Sequence, residues 1–329
     1  MSSYLKLIRW ENLLFIFLIQ WLMQHAIMYP LLQTFGFETG QHQTFYLLLI
    51  AATVLISAGG YVINDYFDVK IDRINKPAKV IVGESVSLRS AMVLYQLLTI
   101  LGTLTGIILA FLSKSFTLGF IFILTPGLLW FYSASYKRQF MIGNLIVSLT
   151  ASLSILIVGI LAVALLKTQY SSELLSQTPV PSQIYGWTGG FTGFAFLLTW
   201  IREIIKDLED AEGDREMECR TMPIKWGETH TKRFLYALIT FTIASLFFIC
   251  FRYIHFEGTL TLRYLIFGIV IPLTVLAFLI FKARRKEDFR QASTLSKIIM
   301  LTGVFYSLIF YYLQAKEFGI SLFGLFLIK

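Results

Sequence analysis

Charged residues and cysteines are both scarce in this chain. Only 15% of its 329 residues are charged, whereas 56% are hydrophobic and the mean hydropathy is +0.70. A soluble domain carries about 25% charged residues, so the composition excludes a soluble globular protein. The two cysteines, Cys219 and Cys250, are too few for a disulfide framework and lack the spacing of metal ligands. The sequence therefore predicts an integral membrane protein.

Long uncharged stretches recur along the whole chain. Each has at least 18 residues, which is enough for a helix to cross the hydrocarbon core, and the apolar runs are continuous, which favours helices over barrel strands. The nine stretches are 12–37, 39–64, 90–113, 115–136, 139–166, 174–201, 234–251, 264–281 and 298–315. We predict an all-α integral membrane fold of nine transmembrane helices, formed by a single domain over residues 1–329.

The first stretch is interpreted as a membrane helix and not as a cleavable signal peptide. It follows the basic residues Lys6 and Arg9, as a signal core would, but it is longer than the usual core of about 7–15 residues.

Basic residues are distributed unevenly between the two ends of the predicted helices. With nine spans, 22 of the 28 Lys and Arg side chains fall on the face that carries the N-terminus. The positive-inside rule places that face, with its loops, in the cytoplasm and the C-terminus on the opposite side. The net charge of +8 is attributed to this topology and to contact with anionic membrane lipids. No nucleic-acid partner is expected, because no recognised binding motif accompanies the basic residues.

One acidic cluster follows the second uncharged stretch. Its members are Asn64, Asp65, Asp68 and Asp72. If the helix continues through them, Asn64, Asp68 and Asp72 fall at positions i, i+4 and i+8 and share one face. Carboxylates beside a bilayer are costly unless something binds them, so this face predicts a binding site.

A second acidic cluster follows the sixth stretch, on the same predicted face of the membrane. Asp207, Asp210 and Asp214 fall at i, i+3 and i+7, which a continuous helix would place on one side, and Glu203 extends this row by one turn. Gly213 is predicted to let the chain bend after the cluster. Oxygen ligands of this kind suit Mg²⁺, which bridges carboxylates to substrate phosphates. Together the clusters predict a site for Mg²⁺ and a diphosphate.

Basic residues near the clusters are candidates for binding the diphosphate. Lys137 is the best placed, because it directly follows the fourth stretch and a cation there would neutralise a departing diphosphate. The other candidates are Arg9, Lys79, Arg138, Arg202 and Lys206. The alternative role for Lys137, Arg138 and Lys206 is that of a membrane anchor.

Three other interpretations of the acidic clusters were weighed. Charged residues at helix ends are commonly solvated caps, although two clusters with helical spacing on one face favour a shared site. An ion-coupled transporter would place acidic residues near the bilayer midplane, whereas here they lie at the ends of the stretches, away from the mid-span prolines Pro126 and Pro272. A non-catalytic scaffold is the third interpretation.

These motifs resemble those of the UbiA superfamily of membrane prenyltransferases, over nearly the whole chain. The similar segments are Asn64-Asp-Tyr-Phe-Asp-Val-Lys-Ile-Asp72 with the following Arg-Ile-Asn-Lys-Pro77, then Arg202-Glu-Ile-Ile-Lys-Asp-Leu-Glu-Asp-Ala-Glu-Gly-Asp214, and the shorter elements Tyr132, Lys137 and Arg9-x-x-Asn12. The resemblance implies nine transmembrane helices around a central cavity, with a cytoplasmic cap over the active site and Mg²⁺ as cofactor.

The resemblance also implies roles for individual residues. The implied metal ligands are Asn64, Asp68, Asp72, Asp207, Asp210 and Asp214. The implied catalytic residues are Asp68, Asp72, Asp207, Asp210 and Lys137. The implied substrate contacts are Asn64, Asp65, Tyr132, Lys137, Arg9, Asn12, Lys79 and Asp214.

The implied reaction transfers an isoprenyl chain from a polyprenyl diphosphate to a membrane-associated acceptor. The motifs look most like those of the branch that makes digeranylgeranylglyceryl phosphate, so geranylgeranyl diphosphate and geranylgeranylglyceryl phosphate are the expected donor and acceptor. An aromatic acid or quinone precursor, of the 4-hydroxybenzoate or naphthoate type, is the alternative acceptor. Membrane lipids are expected to surround the apolar tail of the donor.

Overall fold

The computed structural model describes residues 3–38 and 42–327. Within them the chain forms nine long helices, which we number α1 to α9. In chain order these helices are Trp10–Thr34, Gln43–Asn75, Leu88–Leu112, Phe116–Ala134, Ile142–Gln169, Val180–Glu209, Met222–Tyr253, Leu260–Lys282 and Lys286–Phe318.

The all-α membrane fold predicted from the sequence is confirmed. Eight of the nine helices are long and apolar enough to cross a membrane by length and composition. The exception is α6, which has 30 residues but interleaves polar residues and glycines with its apolar ones. A ninth crossing therefore stays a prediction, as do the central cavity and the cytoplasmic cap.

Several helices run beyond the uncharged stretches from which they were predicted. The second stretch ends at 64 whereas α2 continues to Asn75, and the sixth ends at 201 whereas α6 continues to Glu209. Uncharged stretches mark the hydrocarbon core, whereas charged residues can prolong a helix beyond that core into the interfacial region. The predicted start of the second stretch, at residues 39–41, lies outside the described residues.

Short elements connect the ends of the long helices. On the side of the acidic clusters they are the helix Ser3–Leu7, the 3₁₀ turns Pro77–Lys79 and Tyr136–Arg138, and the helix Ala211–Glu216. On the other side they are the helix Ser172–Ser176 and two short antiparallel strands, Ser321–Leu322 (β1) and Phe326–Leu327 (β2), with Ser321 opposite Leu327.

Two of the membrane helices contain a π-helical segment next to a proline. In α1 the segment is Met23–Met28, shortly before Pro30, and in α8 it is Ile266–Val270, before Pro272. Proline lacks a backbone N–H and its ring crowds the preceding turn. A local π widening accommodates it without ending the helix, so both helices remain continuous.

Close packing of α5 against α6 depends on Gly159. A Cβ atom at this position would lie 2.4 Å from the Oγ1 atom of Thr188, a residue that is fully buried in α6. No side chain larger than hydrogen fits without displacing one of the two helices. This contact sets the alignment of α5 and α6, and both helices carry polar residues of the site described below.

Gly159→Ala should therefore lower the free energy of unfolding by about 1–3 kcal/mol, because it overpacks a close helix contact. Gly189→Ala, in α6, is the matched control, since a Cβ there has nothing within 4 Å and alanine is the better helix former. Thermal unfolding of both variants in detergent measures the difference. Equal midpoints for the two variants would contradict the packing account.

Candidate active site

The first acidic cluster, which we call the first motif, occupies the last turns of α2. Asn64 Nδ2 donates a hydrogen bond of 2.8 Å to Asp68 Oδ2, so these residues share a helix face, as predicted. Asp68 is only 2% exposed. Its second carboxylate oxygen, Oδ1, is buried and has no hydrogen-bond partner in the structure. The lone pairs of Asp68 Oδ1 are thus available to a ligand.

Lys137 reaches the first motif from the turn between α4 and α5. Its Nζ atom forms an ion pair with Asp68 and lies 3.5 Å from Asn64 Oδ1. Burial by itself would lower the pKa of Lys137, but the charge and hydrogen bond of Asp68 outweigh burial and raise it, so the side chain stays protonated. Gly143 allows this turn to pack closely, because a Cβ there would lie 2.7 Å from the Cα atom of Lys137.

The N-terminal element also joins the first motif. Arg9 Nη2 lies 2.6 Å from Asp65 Oδ1, and its guanidinium lies 5.1 Å from the centroid of the Tyr61 ring. Asn12 forms a side-chain hydrogen bond with the same tyrosine. The segment that precedes α1 is therefore fixed against the end of α2, and both N-terminal candidates are brought to the site.

The second acidic cluster, which we call the second motif, does not lie on one continuous helix. α6 ends just before Asp210, which forms a junction, and Asp214 lies on the separate helix Ala211–Glu216. The prediction that Asp207, Asp210 and Asp214 share one helical face is therefore wrong. The break comes at Asp210 and not at Gly213, because the chain turns there to pack the short helix against the end of α2.

Neutral donors hold the first and last aspartates of the second motif. Asn144 Nδ2, at the start of α5, donates to Asp207 Oδ2 over 2.8 Å, and Thr221 Oγ1 donates to Asp214 Oδ2 over 3.0 Å. Burial raises the pKa of Asp214 to about 6, although the hydrogen bond from Thr221 opposes the shift. A bound cation would favour the ionised form of such a carboxylate.

Lys76 joins the two motifs directly. It follows the last residue of α2, and its Nζ atom lies 2.6 Å from Asp210 Oδ2. The other carboxylate oxygen of Asp210, Oδ1, is buried without a hydrogen-bond partner, as in Asp68. Tyr132 at the end of α4 interacts electrostatically with both Asp68 and Asp207. The two aspartate motifs therefore face a common site.

A group of cations surrounds Glu203, which lies one helical turn before Asp207. Arg202 Nη1 and Lys206 Nζ lie 2.7 and 2.8 Å from different oxygens of the buried Glu203. Arg9 and Lys297 lie within electrostatic range of this group. We call Arg9, Arg202, Lys206 and Lys297 the cationic patch. Within it, the two cations of α6, Arg202 and Lys206, share one carboxylate partner, Glu203.

For two of the predicted basic residues, the structure describes no side-chain contact with the site. Arg138 contributes its backbone carbonyl, which accepts a hydrogen bond of 2.8 Å from the N–H of Arg220. The side chain of Lys79 lies outside the described residues.

Lys76, Asn144 and Thr221 were given no role from the sequence alone. Lys76 follows Asp72 at the i+4 spacing of the first motif, so helical spacing could have indicated it. Asn144 and Thr221 reach the second motif only through tertiary packing. Gly143-Asn144 is one of the short elements similar to the UbiA family, whereas no local pattern marks Thr221.

The oxygen donors of the two motifs fit Mg²⁺. The unpartnered buried oxygens of Asp68 and Asp210 belong to opposite motifs, and carboxylate oxygen is the ligand that Mg²⁺ prefers. Across residues 3–38 and 42–327, no three His, Cys, Asp or Glu side chains form a preformed metal cage. Mg²⁺ commonly binds through one or two carboxylates, with waters and substrate phosphates completing its shell, so such a cage is not required.

Comparison with known proteins decides the family. Residues 27–309 match the model of the UbiA prenyltransferase family. The chain belongs to the UbiA family. It is 34% identical to digeranylgeranylglyceryl phosphate synthase of Saccharolobus solfataricus over 262 residues, which are 78% of this chain and 82% of that protein. This UbiA protein is therefore a membrane prenyltransferase.

Solved UbiA structures share its fold. A structure of digeranylgeranylglyceryl phosphate synthase superimposes with a TM-score of 0.61 at 24% identity, covering 94% of this chain and 97% of that one. A homologue from Archaeoglobus fulgidus, bound to GPP and Mg²⁺, gives a TM-score of 0.54 at 15% identity, covering 94% and 100%.

Lys137→Ala is expected to lower the turnover of this UbiA enzyme by about 10²–10³-fold, because it removes a cation positioned at the first motif. Arg138→Ala is the neighbouring control and should have little effect, since that residue contributes a backbone carbonyl. Initial rates with a labelled prenyl diphosphate measure both, after size-exclusion chromatography shows that the variants are folded. An unchanged rate for Lys137→Ala would make that residue a membrane anchor only.

Proposed function

We propose that this protein catalyses the Mg²⁺-dependent transfer of a geranylgeranyl chain from geranylgeranyl diphosphate to geranylgeranylglyceryl phosphate. The observation that carries the proposal is the arrangement of two aspartate motifs that are joined through Lys76, with Lys137 beside the first, each motif retaining one unpartnered buried carboxylate oxygen. The name of the Saccharolobus solfataricus relative supports the acceptor. We propose further that residues 1–329 form one domain.

The donor and the metal are proposed to bind between the motifs. Asp68 of the first motif and Asp210 of the second would hold Mg²⁺, with the remaining proposed ligands Asn64, Asp72, Asp207 and Asp214. A homologue bound to GPP and Mg²⁺ supports this combination of ligands. When bound, Mg²⁺ would neutralise negative charge on the diphosphate and favour its departure.

The lysines beside the motifs are proposed to stabilise the departing diphosphate. As the bond between C1 of the prenyl chain and oxygen breaks, the electron pair stays on the diphosphate, and a fixed cation nearby stabilises that charge. Lys137 is half-buried and protonated, and Lys76 lies at the second motif. Tyr132 and Lys79 are proposed to contact the same diphosphate, and Arg9, Asn12 and Asp65 to order its surroundings.

The cationic patch supports a phosphorylated acceptor. A phosphate monoester carries up to two negative charges, whereas the carboxylate of an aromatic acid carries one. Arg202 and Lys206 share a single buried carboxylate, Glu203, and Arg202 Nε is buried without a partner. The negative charge of an acceptor phosphate would offset the remaining positive charge of this patch. The hydroxyl oxygen of the acceptor would then bond to C1 of the donor chain, and its proton would pass to the departing diphosphate or to water.

The site is proposed to open on the cytoplasmic side. The excess of Lys and Arg on that face supports a cytoplasmic N-terminus, with the C-terminus on the opposite side.

An acceptor screen tests the proposed substrate. Purified protein in detergent, with Mg²⁺ and labelled geranylgeranyl diphosphate, should transfer label to geranylgeranylglyceryl phosphate and not to 4-hydroxybenzoate or a naphthoate precursor. Transfer to an aromatic acceptor would preserve the mechanism and overturn the acceptor. Absence of transfer to any of the three would overturn the donor or the acceptor class.

Asp68→Asn should abolish Mg²⁺-dependent turnover, because it replaces a metal-binding charge with a neutral amide of the same shape. Asp210→Asn should do the same from the second motif. Rates measured across a Mg²⁺ titration, with the unfolding midpoint as control, test both variants. Full activity in either folded variant would refute the role of that aspartate.

A further inference from the structure

Asn75, the last residue of α2, is bound to three residues in two other parts of the chain. Its side-chain Oδ1 accepts a hydrogen bond of 3.1 Å from the backbone N–H of Gly213, and its Nδ2 donates to the backbone carbonyl of Asp210 over 3.3 Å. Its own backbone carbonyl accepts from Lys286 Nζ, at the start of α9, over 2.8 Å. The residue is only 8% exposed, so all these contacts are shielded from water.

Gly213 is shaped to receive this amide. It lies inside the helix Ala211–Glu216 and does not adopt a positive φ angle, so a bend does not explain the glycine. A Cβ atom at this position would lie 2.5 Å from Asn75 Oδ1 and 2.6 Å from Asn75 Cγ. Close approach of the Asn75 side chain therefore requires glycine here.

The helix Ala211–Glu216 depends on outside contacts for its position. A helix of six residues is too short to be stable by itself, yet it carries Asp214, and Asp210 immediately precedes it. Lys76, next to Asn75, adds an ion pair to the side chain of Asp210. Both the backbone and the carboxylate of Asp210 are thereby bound to the end of α2.

We propose that Asn75 is a positioning residue, which sets the distance between the two aspartate motifs by binding the turn that carries Asp210 and Asp214. This proposal rests on the proposed function, because it takes the two motifs as the site for Mg²⁺ and the prenyl diphosphate. Asn75 is assigned no contact with either substrate. It acts through the backbone of Asp210 and Gly213.

The first test is kinetic. Asn75→Ala should raise the Mg²⁺ concentration needed for half-maximal rate, and the KM for the donor, by about 10–100-fold, the usual cost of losing a group that orients metal ligands. Its kcat at saturating Mg²⁺ should be largely retained. A variant that is only unstable would lose kcat with both constants unchanged, and that result, or kinetics identical to the wild type, would overturn the proposal.

Gly213→Ala provides the reciprocal test. It should show the same shift in Mg²⁺ requirement, because the new methyl group would collide with the Asn75 amide. In the double variant Asn75→Ala/Gly213→Ala the methyl group enters the space that the amide leaves, so the combined effect should not exceed that of Asn75→Ala alone. Effects that multiply would show that the two residues act independently, which overturns the proposal.

A third measurement does not depend on the reaction. Trypsin can cut after Arg215 or Arg220, which are exposed around the short helix, and release of this turn in Asn75→Ala should accelerate cleavage there. Glu84→Ala is the control, since it removes only an exposed ion pair with Arg73 near the same end of α2. Unchanged cleavage would overturn the proposal. Failure of the wild type to bind geranylgeranyl diphosphate with Mg²⁺, together with accelerated cleavage in Asn75→Ala, would refute the proposed function and leave the structural coupling supported.

Discussion

A carboxylate buried at the edge of a membrane must have a partner, and this requirement organises the whole site. Removing one partner of a buried ion pair costs several kcal/mol, because it leaves an uncompensated charge. Asp68 is 2% exposed, and its compensation comes from Lys137 on a different connection of the chain. The turn between α4 and α5 is thereby fixed against the end of α2.

The same requirement fixes the second motif. Asp210 is paired with Lys76 from the end of α2, Asp207 with Asn144 from α5, and Asp214 with a threonine that directly precedes α7. Each of these aspartates therefore depends on a partner that is positioned by a different helix. The site forms only when the helices have packed, so its geometry is a property of the bundle and not of the two motifs separately.

This dependence explains what the sequence could and could not predict. Helical spacing correctly placed Asn64 and Asp68 on one face, because a continuous helix fixes neighbours at i and i+4 whatever surrounds it. Helical spacing did not place Asp214 correctly, since tertiary contacts between the end of α2 and the turn after α6 interrupt the helix at Asp210. Lys137 could be nominated from its place after an uncharged stretch. Thr221 could not, because it reaches its aspartate only through the fold.

Hydropathy has a similar limit. The uncharged stretches overlap all nine long helices, but they underestimate the lengths of α2, α7 and α9, because charged residues prolong these helices beyond the hydrocarbon core. The stretch 174–201 predicted α6, but this helix does not reach the hydropathy of the other eight. Its glycines and polar residues serve helix packing, as Gly159 of α5 opposite Thr188 of α6 illustrates.

Lys76 and Lys137 link the charge balance of the site to the ligands that it binds. Lys76 and Lys137 each neutralise one aspartate, so neither can turn fully towards a diphosphate without leaving a buried carboxylate uncompensated. A second cation at Asp68 and Asp210 would remove that penalty, because the unpartnered oxygen of each aspartate is available to it. A diphosphate and a divalent cation should therefore stabilise one another at this site, and such coupling is reciprocal. The pairing that stabilises the motifs without ligands would, under the proposed function, also favour an anion that binds together with a cation.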